Sequence, residues 1–205
     1  MLDWLFRRRA PEPAVSSKDV NRALREIVWP ALREEGFSRR TARTAWRDRA
    51  EQVDVVNFQS FNAYLADGLD CTTFSFAVNL GVYPRCLHDI DSRVKEKDGH
   101  LRPEEWQCGF RLSLERRVDQ GEIDRRDIWF VRPDGANITT VVHDARDVIR
   151  EEGLPWFDRL DGVERMRAVA RAVPASMKGT WGISTTVITA LETAYVSASA
   201  TEPNA

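Results

Sequence analysis

Two stretches of sequence decide the fold of this chain: VDVVNFQ at residues 53–59 and TFSFAVNLGVY at residues 73–83. Apolar and polar side chains alternate along most of both stretches, and this period of two predicts β-strands. The apolar face of the second stretch holds Phe74, Phe76, Val78, Leu80 and Val82. Its other face holds Thr73, Ser75, Ala77, Asn79 and Gly81. We therefore expect adjacent strands with one buried face and one face that is wet or covered by polar groups.

The flanking sequence predicts further strands and several helices. A capping box at Ser16–Asp19 predicts the start of a helix, which Pro30 should kink or break near Val28. Alternation predicts strands over residues 41–47, 106–114 and 127–132. Helical spacing predicts three later helices, the first stopped by Gly153 and Pro155, the second ended by Pro174, and the third over residues 184–198. Consecutive strands followed by separate helices indicate an α+β fold, with an antiparallel sheet of four or five strands and the amino-terminal and carboxy-terminal helices packed on it.

Length and composition predict one domain. The 205 residues suffice for a single core, and we expect a flexible segment over residues 1–16, an α+β domain over 17–199 and a disordered tail over 200–205. The formal net charge of −2 provides no global attraction to nucleic acid or anionic lipid. Three widely spaced cysteines favour a reducing cytoplasm, and no apolar run approaches the ~20 residues of a membrane span.

The polar face of the sheet is the first candidate binding site. We expect five residues to contribute to it: Asn57, Gln59, Ser75, Asn79 and Arg111. Amides both donate and accept hydrogen bonds, so a row of them suits recognition of a peptide backbone, a base edge or a sugar. The alternative is that helices or the 61–72 loop cover this face and that the amides bond to backbone there.

A cluster of arginines is the second candidate. Five arginines lie within residues 39–49, and possible contacts to nucleic acid are Arg39, Arg40, Arg43, Trp46 and Arg47. Cations with an interleaved aromatic ring suit phosphates and a stacked base. The alternative is a solvated edge strand whose charges prevent aggregation.

Two further candidates carry weaker patterns. If Ile128 and Phe130 face inward, Trp129 points outward and could form an aromatic patch with Trp156. His88, Asp89 and Asp91 could form an enzyme site, but their spacing, even with Cys86 added, matches no metal motif. The sequence has no nucleophile elbow, phosphate-binding loop or dinucleotide fingerprint, so we assign no catalytic residue, metal or cofactor.

Several short pieces, in their order and spacing, resemble a known bacterial family. They read GF at 36–37, WR at 46–47, VNFQ at 56–59, VNLGVY at 78–83, RL at 111–112, DIWF at 127–130 and GLPW at 153–156. Together they are similar to the family known as domain of unknown function 4304, over about residues 18–160. The resemblance implies a small bacterial cytosolic domain and supplies no reaction.

Three functions remain open from the sequence. The first is a non-catalytic protein-binding module of a regulatory or immunity type, which the absence of catalytic motifs and the amide-rich surface favour. The second is nucleic-acid binding through the Arg39–Arg49 strand. The third is an enzyme of unknown reaction.

Overall fold

The computed structural model describes residues 15–88, 90, 93–120 and 125–201, with the backbone alone for residues 198–201. The expected flexible segment therefore lies almost entirely outside the described residues, as does most of the expected tail. The helices are α1 (Ser17–Ala23), α2 (Trp29–Glu34), α3 (Ala63–Gly68), α4 (Ile138–Val148), α5 (Leu154–Arg159), α6 (Val163–Ala172), α7 (Ala175–Lys178) and α8 (Thr185–Thr201). The strands are β1 (Arg39–Arg40), β2 (Thr44–Asp48), β3 (Gln52–Ser60), β4 (Phe76–Pro84), β5 (Lys95–Lys97), β6 (His100–Arg102) and β7 (Phe110–Ser113).

An antiparallel five-stranded sheet in the order β1-β2-β3-β4-β7 forms the centre of the molecule. The α+β class and the strand number are as the alternation predicted. The strand expected over residues 106–114 is shorter, because residues 105–107 form a 3₁₀ turn ahead of β7. The strand expected over residues 127–132 is wrong: these residues make only an isolated bridge, between Trp129 and Phe76, and β1 is the fifth strand of the sheet. Strands β5 and β6 form a separate two-stranded hairpin.

The helices α1, α2, α4 and α5 pack on one face of this sheet. Trp29 meets Phe58 edge-on, with ring centroids 5.4 Å apart, and Gly153 lies against Leu80. Phe58 pairs with Val78 and Val56 pairs with Leu80, so these side chains share the helix-covered face. The opposite face of the sheet contains Asn57, Asn79 and Gly81, since successive side chains along a strand alternate.

A π-helical turn next to a proline joins α1 to α2, and a second such turn joins α4 to α5. The break expected near Val28 is a π turn over Leu24–Val28, and Pro30 then stands in the first turn of α2. The stop expected at Gly153 and Pro155 is wrong: a second π turn over Ile149–Gly153 leads directly into α5. Pro155 is accommodated because the first turn of a helix needs no backbone donor. Gly153 serves close packing rather than termination, since an added Cβ would lie 3.0 Å from Cδ1 of Leu80.

The two carboxy-terminal helices predicted from periodicity are present as α6 and α8, which pack against each other. The amino-terminal end of α6 is anchored to the turn before β3, where Glu51 accepts a bond from the Val163 amide and Gln52 accepts one from Gly162. In the described part of the chain, no helix is both long and apolar enough to cross a membrane.

Candidate binding surface on the open sheet face

Four polar residues form a line across four strands on the face opposite α1, α2, α4 and α5. Further along the strands this face is covered, and Val53, Val55 and Tyr83 are buried there. Thr44 pairs with Asn57, Asn57 with Asn79, and Asn79 with Ser113. Directly paired residues of an antiparallel sheet project to the same side, so all four point away from the helices. Gln59 lies two residues beyond Asn57 and therefore shares this side. We call these five residues the polar row.

Hydrogen bonds hold the side chains of the polar row to one another. Asn57 Nδ2 donates to Thr44 Oγ1 at 2.9 Å, Asn79 Nδ2 donates to Gln59 Oε1 at 2.8 Å, and Ser113 Oγ donates to Asn79 Oδ1 at 2.8 Å. The alternative in which these amides serve the backbone beneath a covering helix is therefore not what the structure has. Their orientations are set before any partner arrives.

Two amide groups of the polar row keep unused bonding capacity. Within the described residues, neither the oxygen Oδ1 of Asn57 nor the nitrogen Nε2 of Gln59 has a protein partner. Gln59 and Ser113 are exposed and Asn57 is half-buried, whereas Asn79 is only 7% exposed. The strand therefore presents one acceptor and, two residues further along, one donor. This spacing matches that of alternate residues in an extended peptide.

The other two predicted residues of this face lie elsewhere. Arg111 pairs with Gly81 on the same face, but its Nη2 donates to the Gly179 carbonyl at 3.3 Å, beside the polar row rather than in it. Ser75 is not on the surface: it precedes β4, is fully buried, and its Oγ accepts a bond from the Val131 amide at 3.0 Å. The predicted strand began three residues too early, at Thr73, because β4 begins only at Phe76.

A glycine in β4, two residues from Asn79, lets the 105–107 turn pack on the sheet, and Trp106 of that turn lies near Tyr83 and Val187. A Cβ added at Gly81 would lie 2.5 Å from the Cys108 sulfur, so only glycine lets the 105–107 turn settle on β4. This contact positions Glu105 and Trp106 over the sheet. Burial raises the pKa of the Glu105 carboxyl, against the opposing attraction of Arg111. Trp106 is 63% exposed, and it gives the surface a large aromatic side chain that the sequence pattern had assigned to a strand.

The aromatic patch expected from Trp129 and Trp156 does not exist. Trp129 is 0% exposed, stacks on Phe76 at 5.9 Å and donates its indole hydrogen to Asp144 at 2.8 Å. Trp156 is also buried, against Phe157. The expectation assumed a strand with one buried face, in which Trp129 would point away from Ile128 and Phe130. These residues instead form an irregular segment with core on both sides, so Ile128, Trp129 and Phe130 are all buried.

The arginine cluster is engaged inside the protein. Arg39 pairs with Asp48 at 2.7 Å, while Arg47 and Arg49 both bind the fully buried carboxylate of Asp54 at 2.8 Å. The Arg47 guanidinium also lies over the rings of Phe37 and Phe157, at 4.8 and 5.4 Å. These contacts fix the side chains within the fold, so they are not arranged to grip phosphates.

The remaining members of that cluster do not assemble a nucleic-acid surface either. Trp46 is buried and donates its indole hydrogen to the Pro103 carbonyl at 2.8 Å. Burial of Arg43 lowers its pKa to about 10, since its terminal nitrogens are out of solvent. Arg40 is exposed, with its guanidinium 6.0 Å from the Trp29 ring. A phosphate-binding strand would need these cations side by side in solvent.

The proposed enzyme site at His88 cannot be assembled from the described residues, because Asp89 and Asp91 lie outside them. Among the residues that are described, no group of three or more histidine, cysteine or acidic side chains could hold a metal ion.

A second region, with no signal in the sequence, is a cavity of about 570 Å³ at the end of the sheet near Phe76. Its walls come from four separate segments, residues 70–75, 118–120, 130–133 and 137–141. Local patterns could not reveal it, because the segments are far apart in the chain and two of them are irregular. We call it the loop cavity.

The comparison with known families gives one match. A family model described as domain of unknown function (DUF4304) matches residues 28–159. The matched part includes α2, all seven strands and the chain through α5, and with them the polar row and the loop cavity. It stops before α6. No curated protein and no solved structure matches the chain. Because the match covers more than half of the sequence, the chain belongs to the DUF4304 family.

Proposed function

We propose that this protein is a non-catalytic binding module, of a regulatory or immunity type, that recognises a protein partner through the polar row and Trp106. The observation that carries the proposal is the line of mutually bonded polar side chains across four strands, on the sheet face opposite α1, α2, α4 and α5, where Gln59 and Ser113 are exposed.

The chemistry of this surface supports a protein partner. Asn57 offers an unused acceptor and Gln59 an unused donor, the two functions that a peptide group requires. Trp106, exposed in the turn that packs on Gly81, is the kind of side chain that dominates binding energy at protein interfaces. The formal net charge of −2 adds no electrostatic preference for a polyanion.

The cellular setting that we propose is the cytosol of a bacterium. No disulfide joins any two of Cys71, Cys86 and Cys108, which supports a reducing compartment.

A quantitative pull-down tests the role of the polar row. The bait is the purified protein in lysate of its source organism, with and without nuclease, and bound proteins are quantified by mass spectrometry. The test variant combines Gln59→Arg and Ser113→Arg, two exposed positions where a long cation blocks the surface without entering the core. The matched control is Thr139→Arg, an exposed position on α4 on the other side of the sheet.

We expect one stoichiometric protein partner whose capture is unchanged by nuclease and by the control substitution. The double variant should lower the captured amount of this partner at least about tenfold, because buried like charges and lost complementarity each cost more than about 1 kcal/mol at an interface. Equal capture by the double variant would place the interface elsewhere. Capture that disappears with nuclease, or no stoichiometric partner at all, would contradict protein recognition.

A further inference from the structure

The loop cavity has the size of a small-molecule site. Its volume of about 570 Å³ falls within the range of ligand pockets. The apolar part of the wall comes from Phe130, Val131 and Val141, and the polar part includes Asp70, Cys71 and Thr140. It lies on the helix side of the sheet end, apart from the polar row.

One wall of the cavity is held rigid by an uncommon set of bonds. Residues 130–132 form no regular strand, yet side chains satisfy their backbone groups. Gln120 donates to the Phe130 carbonyl at 2.7 Å and accepts from the Phe130 amide at 2.9 Å. The Val131 amide donates to Ser75 at 3.0 Å, and the Val131 carbonyl accepts from Thr72 at 2.9 Å. A wall fixed in this way presents a constant shape to a ligand.

Two acidic residues and one basic residue line the cavity, and Arg125 is close enough to act on the lining Cys71 thiol. The carboxylates of Asp70 and Asp119 both line it. Asp70 has no ion pair or side-chain hydrogen bond within the described residues, whereas the lining cation Arg132 is paired with Asp134 at 2.8 Å. Burial raises the pKa of the Cys71 thiol, so the thiol is protonated and neutral at pH 7. Asp70 is therefore the charge available to a ligand.

Asp70 occupies a backbone conformation that suits glycine better. Its φ is 49°, immediately after the end of α3, where the Cys71 amide donates back to the Ala66 carbonyl at 2.9 Å. Helices commonly place glycine at such a left-handed position. An aspartate there costs stability relative to glycine, although Asp tolerates this region better than most residues. The Asp70 carboxylate therefore stands at a position where the backbone conformation alone would favour glycine.

We propose that the loop cavity binds a small organic cation, an amine with an apolar body. The ammonium group pairs with the Asp70 carboxylate, and the apolar body packs on Phe130, Val131 and Val141. This site is independent of the polar row and of the partner that the polar row recognises.

Titration with three probes that share one ring tests the charge preference: benzylamine, benzyl alcohol and benzoate, followed by amide chemical shifts of the ¹⁵N-labelled protein. We expect benzylamine to bind most tightly and benzoate least, with the shift changes centred on residues 70–75 and 130–141. Equal affinity for the three probes, shift changes centred elsewhere, or no saturation by benzylamine at any soluble concentration would each overturn the proposal.

Substitution of Asp70 separates binding from stability. We expect Asp70→Gly to raise the thermal midpoint while weakening benzylamine about fivefold, the effect of one partly solvated ion pair. The matched control is Asp98→Gly, because Asp98 is the other non-glycine residue with positive φ in the described part, at 55°, in the β5–β6 turn. The Asp98→Gly variant should be more stable than the parent protein and should bind benzylamine with unchanged affinity. Unchanged benzylamine binding by Asp70→Gly would remove the carboxylate from the site.

Filling the cavity gives an independent check. Thr140 is exposed and lines the cavity, whereas its exposed neighbour Thr139 does not. We expect Thr140→Trp to abolish benzylamine binding and Thr139→Trp to leave it unchanged, with both variants folded by circular dichroism. Normal binding by Thr140→Trp would show that the amine sits outside the loop cavity.

Discussion

At the scale of single residues, two glycines allow close packing in this protein because they have no side chain. Gly81 and Gly153 each allow a neighbouring element to approach the sheet, from opposite faces. Both have ordinary backbone angles, and from sequence alone such glycines indicate only a weak point or a stop in a strand or helix. What makes them necessary is a neighbour distant in the chain, Cys108 in one case and Leu80 in the other.

Gly81→Ala is therefore expected to destabilise the protein by about 2 kcal/mol, because the new methyl group overpacks against Cys108 and neither strand β4 nor the 105–107 turn has room to move. Urea unfolding measures the change. The control is Gly68→Ala at the end of α3, where no atom lies within 4 Å of the added carbon. That variant should stay within about 1 kcal/mol of the parent, on the stabilising side. Similar losses in both variants would show that the close contact at Gly81 is unimportant.

At the scale of elements, local patterns predicted the helix starts better than the helix ends. The capping box at Ser16 and Asp19 is present in full, with Ser16 Oγ accepting from the Lys18 amide and Asp19 accepting from the Ser16 amide at 3.0 Å. The same local logic failed at Pro155. The sequences LREIVWP at 24–30 and IREEGLP at 149–155 have the same form, an apolar residue, Arg-Glu and a proline six residues on, and both make a π turn that absorbs the proline.

The capping box predicts a pH dependence that is confined to α1. The backbone and side-chain hydrogen bonds from Ser16 hold the pKa of the Asp19 carboxyl below its ordinary value of 3.8. A lowered pKa in the folded state contributes stability above the unfolded-state pKa, and this contribution is lost as the pH falls through the folded-state value. We expect the amides of residues 20–23, which are hydrogen-bonded within α1, to lose protection from hydrogen exchange below about pH 4, before the sheet does.

Ser16→Ala provides the control for this pH effect. Without the serine hydroxyl, protection of these amides should be lower already at pH 7 and should change less on acidification. If the amides of residues 20–23 and of the sheet lose protection together in the parent protein, the capping box is not the group that titrates.

At the scale of the whole molecule, the arginines predicted as a nucleic-acid contact instead tie the layers together. Arg47 and Arg49 meet on Asp54 in β3, and Arg49 continues to Asp158 at 2.7 Å and Asp161 at 3.0 Å, at the end of α5 and before α6. Asp54 is fully buried and its other oxygen accepts from Gln52 at 2.7 Å. The buried Asp54 carboxylate holds Arg49, and Arg49 thus joins the sheet to α5 and to the segment before α6.

Removal of that carboxylate should be costly. We expect Asp54→Ala to lower the free energy of unfolding by about 3–5 kcal/mol, because two largely buried guanidinium groups lose the one carboxylate that they share. The comparison variant is Asp158→Ala, whose exposed side chain meets the same Arg49; it should cost no more than about 1 kcal/mol. Chemical denaturation measures both. Equal, small losses would mean that the arginines find other partners when Asp54 is absent.

The sequence by itself determined the class of the fold and the identity of most elements. Periods of two and 3.6, the capping box and Pro174 act within a few residues, so they are readable without the rest of the chain. It also placed Asn57, Gln59 and Asn79 on one face, since the side chains of paired strands alternate in step.

Tertiary structure decided what each face meets. Trp129 is buried rather than exposed because the helix layer and Phe76 enclose it, and Ser75 serves the backbone of Val131, a residue 56 positions away in the chain. The loop cavity exists only where four segments converge. Burial, ion pairing and cavities arise from contacts between distant residues, and their energies depend on which surfaces come together, which no local pattern contains.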